Sequence, residues 1–295
     1  MIDLLSVGHA AYDLTMSVAH HPAADEKLQA TSMQACGGGP AANAAVQAAR
    51  LGGTASFCGY LGNDLYGNAH VAELESEGVD LTYLVRGSHP SSISQILAKP
   101  DGKRALVNFK GETPWLAAKA VDLTASHPRA ILFDGHEPLL SEVVVDWATD
   151  EEIPTVLDAG SLHQGTQALA MKVDYLVASE KFARQFCGTD DMKLALKQLS
   201  DQRNNVVITM GEAGLLWARS GERGEITAFR VDAVDSTGAG DAFHGAFALG
   251  VARGMGWHEL LRFASAAGAL TCTHLGARQG LPSTTEVEQL LKETN

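Results

Sequence analysis

Short apolar runs alternate with longer segments of helical periodicity along most of the 295-residue chain. The runs contain five or six residues without regular polar and apolar alternation, and they lie within the segments IDLLSV, AILFDG, PTVLDAG, VDYLVAS and VVITMG. The segments between them, such as PAANAAVQAARL and NAHVAELESEG, are rich in alanine or leucine. Strands of this kind are buried on both faces. The pattern therefore predicts an α/β fold, a doubly wound and mostly parallel sheet with helices on both faces.

Two regions, residues about 10–36 and about 84–112, do not follow this alternation. The second contains SISQILAKPDGKRALVNF, in which polar and apolar residues alternate on either side of Asp101 and Gly102, a favourable pair for a hairpin turn. We therefore expect a small antiparallel sheet apart from the main one. Because the chain has no internal repeat or linker-like segment, this sheet is predicted to be an insertion within one domain over residues 1–295.

Composition and charge argue against several classes of protein. With 45% hydrophobic and 19% charged residues, the chain is typical of soluble globular proteins, and no apolar run reaches the roughly 18 residues of a membrane span. A net charge of −13 argues against a surface that binds nucleic acid or anionic membranes. The first residues lack the features of a secretory signal, so we expect a cytoplasmic protein. The spacing of the four cysteines favours neither a disulfide framework nor a zinc site.

The stretch CGGGPAANAAVQAARLGG, residues 36–53, places three glycines and a proline before an alanine-rich helix. The backbone of Gly38 and Gly39 can approach a ligand closely, although a tight turn without a ligand explains the glycines equally well. Asn43 lies one turn into this apolar helix, where its amide must find a buried partner or face a cavity. Asp13 is expected at the carboxyl end of the first strand, either as a ligand or as a turn cap.

A second glycine-rich stretch, VDSTGAGDAFHGAF at residues 234–247, leads into a helix. The N–H groups of Gly238, Ala239 and Gly240 at this helix start would form a nest for an anion, and Asp241 follows them. Helix capping explains Asp241 but not the second carboxylate, Asp235, or the two hydroxyls before the glycines. Phosphoryl transfer needs donors and a base of this kind, and the chain contains no GxxxxGK[ST] P-loop.

The segment DSTGAGDAFHGAF resembles the C-terminal signature of the pfkB, or ribokinase-like, carbohydrate kinases. The segment GGGPAANAAVQAARLGGTASFCGYLGNDLYG is similar to their N-terminal signature, and VVITMGEAGLLW and GARQGLPS also match the family's pattern. The resemblance implies a ribokinase-like fold with a small β lid, which often serves as a dimer clasp. It also implies an ATP-dependent kinase of a small sugar, such as a ketohexose, a sulfofructose-like sugar or a ribose-like sugar.

The same resemblance implies roles for individual residues. Asp241 matches the general base of the family. The residues that match the anion hole are Gly238, Ala239 and Gly240. The residues that match sugar ligands are Asp13, Gly38, Gly39 and Asn43. The residues that match the nucleotide site are Thr209, Gly211 and Gly214. A K⁺ or another monovalent cation, bound by many family members, would lie near Asp235, Thr237, Thr271, His274, Gly276 and Gly280.

One motif departs from the family pattern. Many members hold magnesium and phosphate with an NxxE motif, whereas this chain has SEKF, in which Ser179 replaces the asparagine and Phe182 replaces the glutamate. Phenylalanine offers no oxygen ligand to a hard cation. We still expect Mg²⁺ dependence, with Ser179 at the nucleotide site and the ion held by ATP phosphates and water. Glu180 or Asp158 is the carboxylate that we expect near its water ligands.

The identity of the sugar is less well defined by the sequence. Several segments resemble a sulfofructose kinase-like branch, in which residues at the positions of Lys27 and Asn108 contact the sulfonate. The arginine expected after the lid is missing, because the chain has His136 in that region. Lys110 or Arg104 could supply the missing charge, although an exposed face of the lid is the better interpretation of both. For Lys27 itself, a solvated lysine is an equally good interpretation.

Two alternatives to a sugar kinase remain open. A nucleoside kinase has the same fold and base but needs an apolar or aromatic lid wall for the nucleobase, whereas this lid is more polar. A catalytically idle sugar-binding protein agrees with the missing NxxE motif, but Asp241 argues against it. In each case we expect a small-molecule partner, no nucleic acid and no membrane, and a homodimer formed through the lid.

Overall fold

The computed structural model describes residues 2–100 and 104–294. Its strands are β1 (Ile2–Val7), β2 (Ala11–Ser17), β3 (Ser32–Gly38), β4 (Ala55–Gly62), β5 (Leu84–Gly87), β6 (Ser92–Ala98), β7 (Arg104–Phe109), β8 (Pro128–Phe133), β9 (Thr155–Ala159), β10 (Tyr175–Ser179), β11 (Asn205–Thr209), β12 (Leu215–Arg219) and β13 (Glu222–Ile226). Its α-helices are α1 (Pro40–Arg50), α2 (Leu65–Ser76), α3 (Pro138–Asp150), α4 (Gln164–Leu169), α5 (Glu180–Cys187), α6 (Met192–Ser200), α7 (Ala239–Ala252), α8 (Trp257–Thr271), α9 (Ala277–Gly280) and α10 (Thr284–Glu293). None of the helices in this part of the chain is long and apolar enough to cross a membrane.

The larger sheet has nine strands in the order β13-β12-β11-β10-β9-β8-β1-β4-β5. Neighbouring strands from β11 to β5 are parallel, and only β12 and β13 at one edge are antiparallel. Successive side chains enter opposite apolar layers, so Leu4 packs in the layer of α1, α7 and α8, and Leu5 in that of α3 to α6. This arrangement confirms the predicted α/β fold with helices on both faces.

Helix α1 is buried along most of its length and shows how the sequence sets the local structure. Pro40 occupies the first turn, where its missing N–H costs no hydrogen bond, and Arg50 lies in the last turn, where its charge complements the helix dipole. Between them, alanines leave little side-chain bulk, so α1 packs against both the sheet and α7. The close packing fixes the start of α1 beside the start of α7.

The smaller sheet, called the lid here, has four strands in the order β3-β2-β6-β7. Two antiparallel pairs, β2 with β3 and β6 with β7, meet through the parallel pair β2 and β6. The lid is therefore mixed rather than wholly antiparallel, because its two halves come from distant segments and run in the same direction where they meet. The predicted turn at Asp101 and Gly102 lies outside the described residues.

Two local predictions differ from the structure. Residues Leu84–Gly87, which the sequence places in the second lid segment, form β5 at the edge of the larger sheet. Arg86 anchors this strand by donating to the carbonyls of Leu61 and Gly62, over 3.0 and 2.7 Å. Asp13 does not lie at the end of the first strand. Strand β1 ends at Val7, and Asp13 lies within β2 of the lid, since the chain turns after β1.

Candidate active site

The carboxyl ends of five neighbouring parallel strands meet at one edge of the larger sheet. The residues at or next to these ends are His9, Asp134, Asp158, Ser179 and Thr209. Open α/β sheets bind their ligands at this edge. Because β2 follows β1 after a short turn, the lid is connected to the sheet at the same edge. The space between the lid and this edge is the candidate active-site cleft.

The start of α7 has the geometry of an anion site. Gly238 caps the helix with a φ of 80°, and a Cβ there would lie 2.6 Å from the Cβ of Ala277, so both the backbone angle and the space require glycine. The N–H groups of Gly238 and Gly240 have no acceptor among the described residues, whereas the N–H of Ala239 donates to Ser236 over 3.3 Å. Two of the three predicted anion-hole amides are therefore open to a ligand.

Asp241 is partly buried in the first turn of α7 and is held on one side by Asn43. The side-chain Nδ2 of Asn43 donates to Oδ2 of Asp241 over 2.7 Å. Burial raises the pKa of the Asp241 carboxyl, and the hydrogen bond from Asn43 opposes that rise. Oδ1 of Asp241 has no hydrogen-bond partner among the described residues. This oxygen is free to accept a proton from a ligand hydroxyl.

Asp13 and Gly38 form a second polar part of the cleft. They lie on neighbouring lid strands, and a Cβ on Gly38 would come within 2.2 Å of Oδ2 of Asp13, so only glycine leaves room for this carboxylate. Asp13 is 8% exposed. Burial raises its pKa to about 6, and the nearby carboxylate of Asp241 adds to the rise. The structure thus brings together three predicted site residues from distant segments.

The lid places Asn108 in register with Asp13 and leaves Lys27 apart. Asp13 pairs with Ser94 on β6, and Ser94 pairs with Asn108 on β7, so the three side chains lie on one face of the lid. Asn108 is exposed at the open end of this row. Lys27 lies exposed in the loop between β2 and β3, and it makes no hydrogen bond or ion pair within residues 2–100 and 104–294.

Arg104 connects the lid to the loop before α7. It lies four residues from Asn108 on β7 and therefore on the same face. Its guanidinium donates to the Thr237 hydroxyl and lies 3.7 Å from the carboxylate of Asp235. The lid is thus in contact with the segment that leads into the anion site, and Arg104 places a positive charge between the two.

The residues predicted for the nucleotide site also lie together. Ser179 and Thr209 are paired in register at the ends of β10 and β11, and Gly211 and Gly214 form the turn that follows. The Ser179 hydroxyl caps α5, accepting from the N–H of Phe182 and donating to the carbonyl of Gly160. The side chain of Phe182 is fully buried in the core. The position that holds a glutamate in many family members therefore contributes to packing in this chain.

Two of the residues predicted for a monovalent cation, Thr237 and Gly276, are hydrogen-bonded to Asp235. Its Oδ1 accepts from the N–H and the hydroxyl of Thr237, and its Oδ2 accepts from the N–H of Gly276. The hydroxyl of Thr271 donates within α8, and Gly280 packs against the Thr271 carbonyl. His274 is exposed and bonds to Thr273. Within the described ranges, no three His, Cys, Asp or Glu side chains are arranged to hold a metal ion.

Asp134, which the sequence did not single out, fixes the floor of the cleft. Its carboxylate accepts from the N–H groups of His9, Ala41 and His136 over 2.7, 3.1 and 2.8 Å. Three segments from different parts of the chain therefore converge on one buried side chain. An aspartate directly after an apolar strand is a weak signal for this role, because most such residues are turn caps.

Three histidines line the same part of the cleft. The rings of His9 and His136 have centroids 5.2 Å apart, and those of His136 and His163 are stacked at 4.6 Å. Burial, with repulsion from His136, lowers the pKa of His9 to about 4, and burial also lowers the pKa of His163. The rings of His9 and His163 are therefore neutral at pH 7 and able to exchange hydrogen bonds with hydroxyl groups.

His244 is buried one turn beyond Asp241 and is surrounded by oxygen atoms. Its Nδ1 lies 2.6 Å from the carbonyl oxygen of Gly240 and 3.4 Å from Oδ2 of Asp158, and its Nε2 lies 3.2 Å from the carbonyl oxygen of Val177. Both ring nitrogens are thus engaged, so His244 is not available as a second base. Burial raises the pKa of Asp158 to about 6, and His244 opposes the rise.

Open amides at a helix start, an adjacent carboxylate and a lid over the carboxyl edge of a parallel sheet are features expected of an α/β phosphotransferase. The model of the pfkB family of carbohydrate kinases matches residues 1–284. The chain belongs to this family, and the match confirms the predicted ATP-dependent sugar kinase.

Individual relatives cover almost the whole chain. The ribokinase of Bacillus subtilis (strain 168) is 30% identical over 295 residues, which are 99% of this chain and 100% of the relative. The deoxyribokinase of Salmonella typhi is 27% identical over 98% of this chain and 99% of its own. The crystal structure of a ribokinase from Thermotoga maritima superposes with a TM-score of 0.87 at 28% identity, over 99% of this chain and 100% of that one. These similarities confirm the ribokinase-like fold.

Proposed function

We propose that this kinase transfers the γ-phosphoryl group of ATP to a primary hydroxyl of a small sugar, with Asp241 as the general base. The observation that carries the proposal is the juxtaposition of the free Oδ1 of Asp241 with the open amides of Gly238 and Gly240. A hydroxyl that donates to Asp241 would stand beside a phosphoryl group bound by these amides, which is the arrangement that in-line transfer requires.

The chemical step follows from this placement. The sugar oxygen forms a bond to the γ-phosphorus while the bond from that phosphorus to the bridging oxygen breaks, and the hydroxyl proton passes to Asp241. ADP leaves with the electron pair of the broken bond. The N–H groups at the start of α7 and its helix dipole stabilise the negative charge on the transferred group. Arg104 adds a positive charge near Asp235, at the edge of the same site.

Sugar hydroxyls would be bound opposite the anion site. Asp13 is the strongest acceptor there, and its position against Gly38 supports close contact of the sugar with this part of the lid. Asn108 in the same row and the imidazoles of His9 and His136 offer further hydrogen bonds. Relatives named for ribose, deoxyribose and fructose support a pentose or ketohexose as the substrate class.

The substrate and the base are tested together. ADP release, coupled to a colorimetric readout, is measured with ATP and Mg²⁺ over ribose, deoxyribose, fructose, sulfofructose and nucleosides. We expect turnover with a pentose or ketohexose, and turnover of nucleosides alone would contradict the proposal. Asp241→Asn should lower kcat by about 10²–10⁴-fold without loss of ATP binding in calorimetry. The matched control is Asp232→Asn at an exposed position, which should retain kcat.

Magnesium is proposed to enter with the nucleotide. Ser179 is engaged as a helix cap and Phe182 is buried, so neither supports a preformed divalent site. Phosphate oxygens and water are then the expected ligands, and the metal neutralises charge on the transferred group. A monovalent cation near Asp235 would be bound by main-chain carbonyls together with Oδ2 of Asp235, which accepts one hydrogen bond among the described residues and keeps a lone pair for a cation. Turnover with and without K⁺ measures its contribution.

A homodimer through the outer face of the lid is the proposed assembly. Met33, Val107 and Phe109 are 61%, 70% and 55% exposed on lid strands, which is unusual for residues of this size on one small sheet. A second copy of the same lid would cover such a face. Sedimentation velocity should give a dimer for the natural chain and a monomer for Val107→Lys, and a monomeric natural chain would refute the assembly.

A further inference from the structure

Arg278 is a buried arginine to which the segment GARQGLPS, residues 276–283, assigns no role. It lies in the short helix α9 and is 4% exposed. Within the described residues no carboxylate lies at ion-pair distance from Arg278. Burial lowers the pKa of its guanidinium, and the more distant carboxylates of Glu73 and Glu77 oppose this change. A guanidinium without a close counter-charge is costly to bury and gives little stability. The burial of this arginine therefore points to a role in fixing the residues around it.

Its hydrogen bonds lead directly to the proposed base. Nε and Nη2 of Arg278 both donate to Oδ1 of Asn43, over 3.3 and 3.1 Å, and Nη2 also donates to Nε2 of His70 over 3.1 Å. The Nδ2 of Asn43 then donates to Asp241 over 2.7 Å. Arg278 of α9, Asn43 of α1 and Asp241 of α7 are thus connected by a continuous series of hydrogen bonds.

The chemistry of the two ends allows only one orientation of the Asn43 amide. A guanidinium can only donate, so it must face the amide oxygen, and an ionised carboxylate can only accept, so it must face the amide nitrogen. Rotation of the amide by half a turn would place two donors together at Arg278 and two acceptors together at Asp241. Asn43 has neighbouring alanines on α1 that offer no polar alternative.

We propose that Arg278 is a positioning residue for phosphoryl transfer: it locks the amide of Asn43, which in turn holds Oδ2 of Asp241 and leaves Oδ1 facing the substrate. The proposal rests on the function proposed above, since it assigns Asp241 the role of base. It explains why an asparagine is placed inside an apolar helix, and why an arginine is buried beside it. Arg278 itself touches no reacting atom.

The test is a double-mutant cycle on kcat, with the sugar that the wild-type enzyme turns over. Arg278→Met should lower kcat by about 10²-fold, because the base loses its orientation, and should leave the KM for ATP unchanged. Asn43→Ala should have a similar effect. The double variant should be no slower than Asn43→Ala alone, whereas independent effects would multiply to about 10⁴-fold. Arg278→Lys, which retains a positively charged donor group, should recover part of the loss.

The matched control is Arg203→Met. Arg203 likewise donates hydrogen bonds, in its case to the partly buried main-chain carbonyls of Met171 and Val173, but it lies away from the cleft. Its loss should lower thermal stability and leave kcat unchanged. Unchanged kcat in Arg278→Met, or multiplicative losses in the double variant, would overturn the positioning role while the wild-type turnover still stands. Absence of wild-type turnover on every sugar would instead refute the proposed function.

A crystal structure of Arg278→Met or Arg278→Lys gives a readout that needs no turnover. With methionine we expect the Asn43 side chain to rotate away from Asp241, and with lysine we expect the contact to persist. An unchanged distance between Asn43 and Asp241 in the methionine variant would also overturn the role.

Discussion

Replacing Asp13 by asparagine should make the protein more stable and a poorer kinase. Asp13 is 8% exposed in the lid, and burial raises its pKa from 3.8 to about 6. Asparagine has nearly the same shape and can still accept a hydrogen bond from Ser94, but it carries no charge to desolvate. The variant therefore removes the electrostatic cost and keeps the packing.

The size and sign of the effect follow from linkage. The pKa of Asp13 is higher in the folded protein than in the unfolded chain, so the folded protein binds the proton more tightly. The stability of the protein therefore falls as the pH rises from about 4 to about 6. Above about pH 6 the cost is complete and amounts to about 3 kcal/mol as an upper limit. At pH 5 about half of it is present, so the gain of Asp13→Asn should grow by about 1.5 kcal/mol between pH 5 and pH 7.5.

Urea denaturation of both proteins at pH 5 and pH 7.5 measures this difference, and Asp232→Asn at an exposed position is the control. In parallel, the KM for the sugar should rise by about tenfold or more, because a charge-assisted hydrogen bond of about 1.5–3 kcal/mol is lost. An Asp13→Asn protein that is no more stable at pH 7.5, or whose gain does not change with pH, would refute the link between burial and function at this position.

Three further predictions concern the edges of the cleft. Gly238→Ala should destabilise the protein by about 1–3 kcal/mol in thermal unfolding and lower kcat, because alanine is strained at a φ of 80° and meets Ala277; a fully active variant would contradict the anion site. Ser179→Ala should cost about 1 kcal/mol of stability through the lost cap of α5, and an unchanged melting temperature would show that the cap is not needed. Arg104→Met should raise the KM for the sugar in steady-state assays with an unchanged melting temperature, since it breaks the contact of the lid with Thr237 at a partly exposed site; an unchanged KM would sink this role.

The fold was predictable because its signals are local. Apolar runs of strand length between alanine-rich helices indicate a covered parallel sheet, and alternation on both sides of a turn indicates the lid strands β6 and β7. Strand β5 was assigned to the lid because four residues carry too little periodicity to show which sheet they join. Asp13 was placed at the end of β1 because the sequence does not show that the chain turns after Val7 and begins a new strand.

Residues of the candidate site could be proposed from the sequence in the two long glycine-rich segments, and their roles stay predictions. Long glycine-rich segments contain Asp241, Gly238 and Asn43. In these segments the residue types alone indicate contact with a ligand. Arg278 lies in a four-residue helix with no periodicity, and its partners are 208 and 235 positions away in the chain. Asp134 likewise acts on residues from three segments. Contacts of this kind depend on tertiary structure, which no local pattern contains.

The way Asp134 binds the backbone of the cleft bears on which substitutions the proposed sugar site can accept. Its carboxylate binds the main-chain N–H groups of His9, Ala41 and His136 and none of their side chains. Any residue other than proline can supply those N–H groups. Substitutions at positions 9 and 136 can therefore change the side chains that line the proposed sugar site while these backbone hydrogen bonds remain.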